Sequence, residues 1–168
     1  MIKIIDFNSI QPDEFFSRIK DKVDVTAPVK EIIEKVIDKG DVALYEYAKK
    51  FDGVTLSSLT VSDEEVEEAF SSVSADYIEM IKRASENIRE FHLQQVRKGF
   101  KIEKDGVIVG QKVMPIENVG LYVPGGTAAY PSTVLMDAIP AKIAGVKEVV
   151  MVTPPSKNGK VNPAILAS

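Results

Sequence analysis

The stretch from Val119 to Thr153 limits the fold more than any other part of this chain. A short apolar run, Val119 to Val123, feeds a Pro124-Gly125-Gly126 turn. A helical pattern follows from Pro131-Ser132-Thr133 to Ala144, and Gly145 stops it. A second apolar run, Glu148 to Thr153, comes next. A strand, a helix and a second strand in this order supply the long crossover that parallel neighbours need. This order predicts a βαβ unit, with the loop after its first strand at the position where α/β sheets receive ligands. The fold class is therefore α/β. Pro140 falls inside the crossover helix, where it predicts a packing bend against the sheet.

Upstream, the periodicity is helical. Pro12-Asp13-Glu14 opens a helix with Phe15, Phe16, Ile19 and Val23 on one side. Thr26 caps a second helix, which Gly40 ends, and its buried stripe is Val29, Ile32, Ile33, Val36 and Ile37. Asp41 starts a third, ending at Asp52-Gly53. Ser62 and Glu65 form a capping box ahead of a short acidic helix through Phe70. The acids Asp63, Glu64, Glu65, Glu67 and Glu68 suit a solvated helix N-terminus better than a cation site. Ser74 caps the longest helix, about 75 to 97, whose apolar face runs from Tyr77 through Ile81 and Ile88 to Val96.

After Gly99 the period changes to two. Phe100 and Ile102, then Val107, Val109 and Val113, flank Asp105-Gly106, which predicts a hairpin over about 100 to 114 with a type I′ turn. Residues 1–99 are thus expected to form a helical region. Residues 100–168 are expected to form the hairpin and the beginning of a Rossmann-like α/β domain that is incomplete. Asn162-Pro163 looks like the start of a further helix.

Composition closes off several classes of function. The formal charge of −4, without clustered Lys and Arg, gives no basis for nucleic-acid binding. No apolar run reaches the ~20 residues of a membrane span, and the first residues lack the layout of a signal peptide. With 0 Cys, disulfides and thiolate metal sites are excluded, which suits the cytoplasm. There is 1 histidine, His92, so no zinc site is expected in this chain.

The residues able to meet a ligand gather after the first strand of the βαβ unit. Gly125 and Gly126 let the backbone approach a bound group, and free N–H groups ahead of a helix favour an anion. The spacing is not that of a dinucleotide fingerprint, however, and no P-loop lysine follows; by itself the pair serves equally as a plain turn. Tyr122 offers a flat face and a hydroxyl, or else is an ordinary strand tyrosine. Ser132 and Thr133 have no activating base nearby, and Ser132 suits a helix N-cap. Thr127 could line the same loop. His92, beside Phe91 and Leu93, is a packed or hydrogen-bonded structural residue.

The words Val119-Gly-Leu-Tyr-Val-Pro-Gly-Gly126 through Ala138-Ile-Pro-Ala-Lys-Ile-Ala-Gly145, then Glu148-Val-Val-Met-Val-Thr-Pro-Pro155, resemble the histidinol dehydrogenases. The resemblance spans the whole chain and is strongest from about 113 to 155. The segment Ala128-Ala129-Tyr130-Pro131 departs from it, the family more often having proline and leucine there. The resemblance implies the N-terminal portion of a zinc- and NAD-dependent oxidoreductase, cytoplasmic and homodimeric when complete. That enzyme converts L-histidinol to L-histidine in two oxidation steps. It implies that Tyr122 contacts NAD, with Pro124, Gly125 and Gly126 shaping the same cofactor site. The family's zinc ligands and acid–base pair fall beyond Ser168, so no catalytic or metal residue is carried onto this chain, which alone should be inactive. The rival expectation is a non-catalytic nucleotide-binding or assembly module of the same fold.

Overall fold

A computed structural model describes residues 4, 6, 8, 24–125 and 129–168. The predicted helix at Pro12-Asp13-Glu14 lies outside them. The chain forms two compact units, Met1–Ala43 and Leu44–Ser168.

In the first unit, helix α1 spans Thr26–Lys39. Its N-cap is Val25 rather than Thr26, because the Asp24 carboxylate accepts the Thr26 N–H at 2.9 Å and moves the start back by one residue. Hydrogen bonds from Thr26, its side chain first and its backbone second, hold the Asp24 carboxyl below its ordinary range. Gly40 ends the helix at φ 55°, as its position predicts. The apolar stripe has helical spacing, but it is not buried. Val29, Ile33 and Ile37 are exposed, Ile32 and Val36 are half-buried, and no residue of α1 is fully covered.

Helix α2, Asp41–Tyr47, runs into a π-helical turn, Ala48–Asp52, where Tyr47 and Phe51 stack at 5.4 Å. Gly53 stops it at φ 73°. The larger unit continues with α3, Asp63–Ser72, and α4, Ala75–Leu93. Both start where their capping serines predict. Ser62 accepts the Glu65 N–H at 3.2 Å and Ser74 accepts the Tyr77 N–H at 3.1 Å.

The hairpin forms next, β1 Phe100–Lys104 against β2 Val107–Gln111, with Lys104 opposite Val107. Its turn is not type I′. Gly106 has φ 78°, but no described non-glycine residue has positive φ, so Asp105 stays on the ordinary side. That sign pattern belongs to type II. Asp can visit the left-handed region only at a cost, and glycine takes the strained position alone. Both strands are exposed throughout, and no other described element packs on them.

The predicted βαβ unit is present. Strand β3, Asn118–Tyr122, pairs in parallel with β4, Glu148–Val152, and helix α5, Pro131–Ile143, makes the crossover. Helix α5 passes through Pro140 unbroken. Gly145, at φ 90°, ends it as predicted, its N–H donating to the Lys142 carbonyl at 3.0 Å. Asn162 caps a last short helix, α6, Pro163–Leu166, by accepting the Ala164 N–H at 2.9 Å. Among the described residues the β3–β4 ladder has no third strand, and both its edges are unpaired.

The core lies between α4 and α5. Ile81, Leu135 and Ile139 are buried together, flanked by Tyr77, Ala84, Ile88 and Ile143. Helix α6 packs on α3 and α5, with Ile165 fully buried. Polar contacts fix this end of the chain. The Tyr77 hydroxyl donates to the Ala164 carbonyl at 2.7 Å and meets the Ser168 hydroxyl at 3.0 Å. The acidic start of α3 is only partly a solvated face. Glu65 accepts the Val161 N–H at 2.8 Å, and Glu68 pairs with Lys160 at 2.5 Å, which raises the Lys160 pKa.

Tyr77→Phe keeps the packing and removes the hydroxyl. It should cost about 0.5–1.5 kcal/mol, a drop of roughly 1–6 °C in thermal midpoint for a chain of this size. Leu135→Ala should cost about 2–5 kcal/mol because it opens a cavity in the core. Scanning calorimetry of both variants checks the ranking. Equal losses would place the dominant contact elsewhere.

Candidate functional site

The carboxyl ends of β3 and β4 lie side by side. Tyr122 is the last residue of β3 and stands opposite Val152, the last of β4. Alternation divides the ladder into two faces. Val119, Leu121, Val149 and Met151 are half-buried, whereas Asn118, Gly120 and Tyr122 are exposed, as are Glu148, Val150 and Val152. Tyr122 is 65% exposed, with Val150 and Val152 at 50% and 55% on the same open face. It is not a core tyrosine.

One residue later the chain is locked in. Val123 is fully buried, and its N–H donates to the Val152 carbonyl at 2.9 Å, extending the ladder past Tyr122. Pro124 and Gly125, both half-buried, then lead away from the sheet. A Cβ on Gly125 would lie 3.0 Å from Thr153 Oγ1 and 3.3 Å from both Cγ and the carbonyl oxygen of Pro154. Position 125 is therefore crowded by the first residues after β4, which would have to give by a few tenths of an ångström to admit a side chain. Gly125 is not among the glycines with positive φ, so the constraint is space rather than backbone conformation. Thr153 Oγ1 is buried and has no hydrogen-bond partner among the described residues. Gly126 and Thr127 lie outside the described residues.

The helix after this loop starts two residues earlier than the serine suggests. Tyr130 is the N-cap of α5, Pro131 takes the first helical position, and the Thr133 N–H donates to the Tyr130 carbonyl at 3.0 Å. Ser132 is thus an exposed first-turn residue and not the cap. Proline at the first helical position, with its φ already helical, outcompetes the serine.

His92 is remote from the strand ends in sequence and has a structural partner. Its Nδ1 lies 2.7 Å from Gln95 Oε1, and its ring meets Phe91 edge-on at 5.4 Å. With Arg97 it borders a cleft of about 370 Å³ whose other walls include Met114, Pro115 and Pro140. Among the described residues, no three His, Cys, Asp or Glu side chains come together as a metal site would need.

The residue missed from sequence is Thr153. It follows β4 directly, at the same level as the loop after β3, and that position was the available signal. A hydroxyl there is otherwise unremarkable in sequence; only its burial beside Gly125 distinguishes it.

This arrangement matches known proteins closely. The histidinol dehydrogenase family profile matches residues 17–168. Histidinol dehydrogenase of Clostridium acetobutylicum is 45% identical over 174 residues, an alignment covering 100% of this chain and 40% of that protein. The Streptococcus mutans enzyme is 53% identical over 150 residues, covering 89% of this chain and 35% of its own length. The crystal structure of histidinol dehydrogenase from Elizabethkingia anophelis superposes with a TM-score of 0.83 at 40% identity, over 89% of this chain and 35% of that one. The chain thus spans 35–40% of the length of these relatives. With the family profile covering nearly all of it, this chain belongs to the histidinol dehydrogenase family.

Proposed function

We propose that this chain carries the cofactor-facing strand ends of a histidinol dehydrogenase, the oxidoreductase that converts L-histidinol to L-histidine with NAD and zinc. One observation carries the reading. The carboxyl ends of two adjacent parallel strands carry an exposed tyrosine, a glycine with little room for a side chain and a buried hydroxyl with no partner among the described residues. The tyrosine and the glycine turn fit a nucleotide, which needs a flat surface and close backbone approach. NAD, when bound, accepts a pair of electrons in each of the two oxidations.

The chain's own part is binding and orientation. Tyr122 projects from a strand end that Val123 anchors, so its ring is presented on a rigid base while remaining open to solvent. Pro124 fixes the exit from the strand, and Gly125 brings the backbone down against Thr153 and Pro154. Gly126 continues this turn in sequence. The described residues offer no donor set for zinc, so no step is assigned to that metal here. In the cytoplasm the complete enzyme would work as a homodimer on its small-molecule substrate.

The 168-residue chain, with 1 His and 0 Cys, should produce no histidinol-dependent NADH even with zinc added. Turnover above a blank, in a preparation free of host enzyme, would overturn the assignment of the chemistry to residues outside this chain.

Tyr122→Ala should weaken NAD binding by about 1–2 kcal/mol, the scale of an aromatic contact plus a hydrogen bond. Because Tyr122 is 65% exposed, the thermal midpoint should barely move. Titration with NAD beside a melting curve checks both. An unchanged affinity would retire the cofactor role of Tyr122. In an enzyme-length protein, the same change should raise the KM for NAD more than that for histidinol.

A further inference from the structure

We propose that Thr153 is a positioning residue: its hydroxyl, with Pro154, sets how closely the Pro124-Gly125 turn sits against the end of β4. The glycine at 125 is then required by β4 and not by the ligand itself. The proposal rests on the cofactor reading above only for what the turn is held in place to do.

The geometry points this way from both sides. Seen from Gly125, a single added carbon would come within 3.0 Å of Thr153 Oγ1 and 3.3 Å of two Pro154 atoms. A separation of 3.0 Å is tighter than an ordinary contact between a methyl and an oxygen, so Thr153 or Pro154 would have to give by a few tenths of an ångström. Seen from Thr153, the hydroxyl is buried without a partner among the described residues, a state that native structures rarely leave unexplained. A hydroxyl is also slimmer than a methyl. Thr153→Val would keep the branched shape of threonine but replace the oxygen with a bulkier carbon, lifting the turn. Thr153→Ser would retain the oxygen. The turn's near side is fixed as well, since Val123 is buried and hydrogen-bonded to Val152. A displacement at Gly125 that travels back toward β3 is absorbed in Pro124 or passed to the Val123 N–H.

Hydrogen exchange at the Val123 amide, measured by NMR on the 168-residue chain, reads this contact without any ligand. Gly125→Ala should speed exchange and lower the thermal midpoint. Adding Thr153→Ala should recover part of that loss, although Pro154 keeps the recovery incomplete. If Gly125→Ala has the same effect whether or not Thr153→Ala accompanies it, the proposal is overturned. Should Gly125→Ala fail to fold, Thr153→Val and Thr153→Ser decide the matter alone. The valine substitution should speed Val123 exchange and weaken NAD binding several-fold, and the serine substitution should leave both near their starting values. A valine variant indistinguishable from the starting protein in both readouts would also overturn it. If NAD binds neither the starting protein nor any variant, the cofactor reading fails, while exchange still decides the contact between positions 125 and 153.

Discussion

A parallel pair of strands cannot be joined by a tight turn, so β3 and β4 depend on the helix that carries the chain from one to the other. That helix is stable only if its apolar side is covered. Here the cover is α4, through Ile81 against Leu135 and Ile139. Burying side chains of this kind yields about 1.5–3 kcal/mol each, and Tyr77, Ala84, Ile88 and Ile143 extend the contact. The long helix upstream is therefore one wall of the α/β unit. The same helix anchors the end of the chain through the Tyr77 hydroxyl, and α3 grips residues 160–161 through Glu65 and Glu68.

The sequence was most legible where local chemistry decides the outcome. Serine caps at 62 and 74, glycine stops at 40, 53 and 145, and the asparagine cap at 162 all lie at their predicted places. Each acts through the residue's own backbone or nearest amides. It was less legible where two local signals compete. Asp24 accepts the Thr26 amide and Val25 rather than Thr26 is the cap of α1, and Pro131 displaces Ser132 from the start of α5. The turn at Asp105-Gly106 likewise has one left-handed residue instead of two. What could not be read were contacts between distant segments. Helical spacing marks Val29, Ile33 and Ile37 as an apolar stripe, but spacing cannot say what covers a stripe, and these three are exposed.

The same division holds at the candidate site. Tyr122 and the glycine turn were visible because an apolar run, a Pro-Gly-Gly word and a helix start occur in that order. The parallel ladder then puts Tyr122 at a strand end, on a face open to solvent. Thr153 had only its place after β4 to mark it. It is 28 positions after Gly125, and only the pairing of β3 with β4 makes them neighbours.

The unpaired edges of the β3–β4 ladder bear on how stability should be measured. Each edge offers a row of amide and carbonyl groups beside an open face bearing Tyr122, Val150 and Val152. An edge of this kind can accept another strand, including one from a second molecule. Any such pairing binds the folded form and not the unfolded one, so mass action would add to the apparent stability as protein concentration rises. A melting temperature for this chain is consequently a property of the solution as well as of the fold. Variants near the sheet can be ranked only at one matched concentration, and a dilution series separates what the core contributes from what association adds.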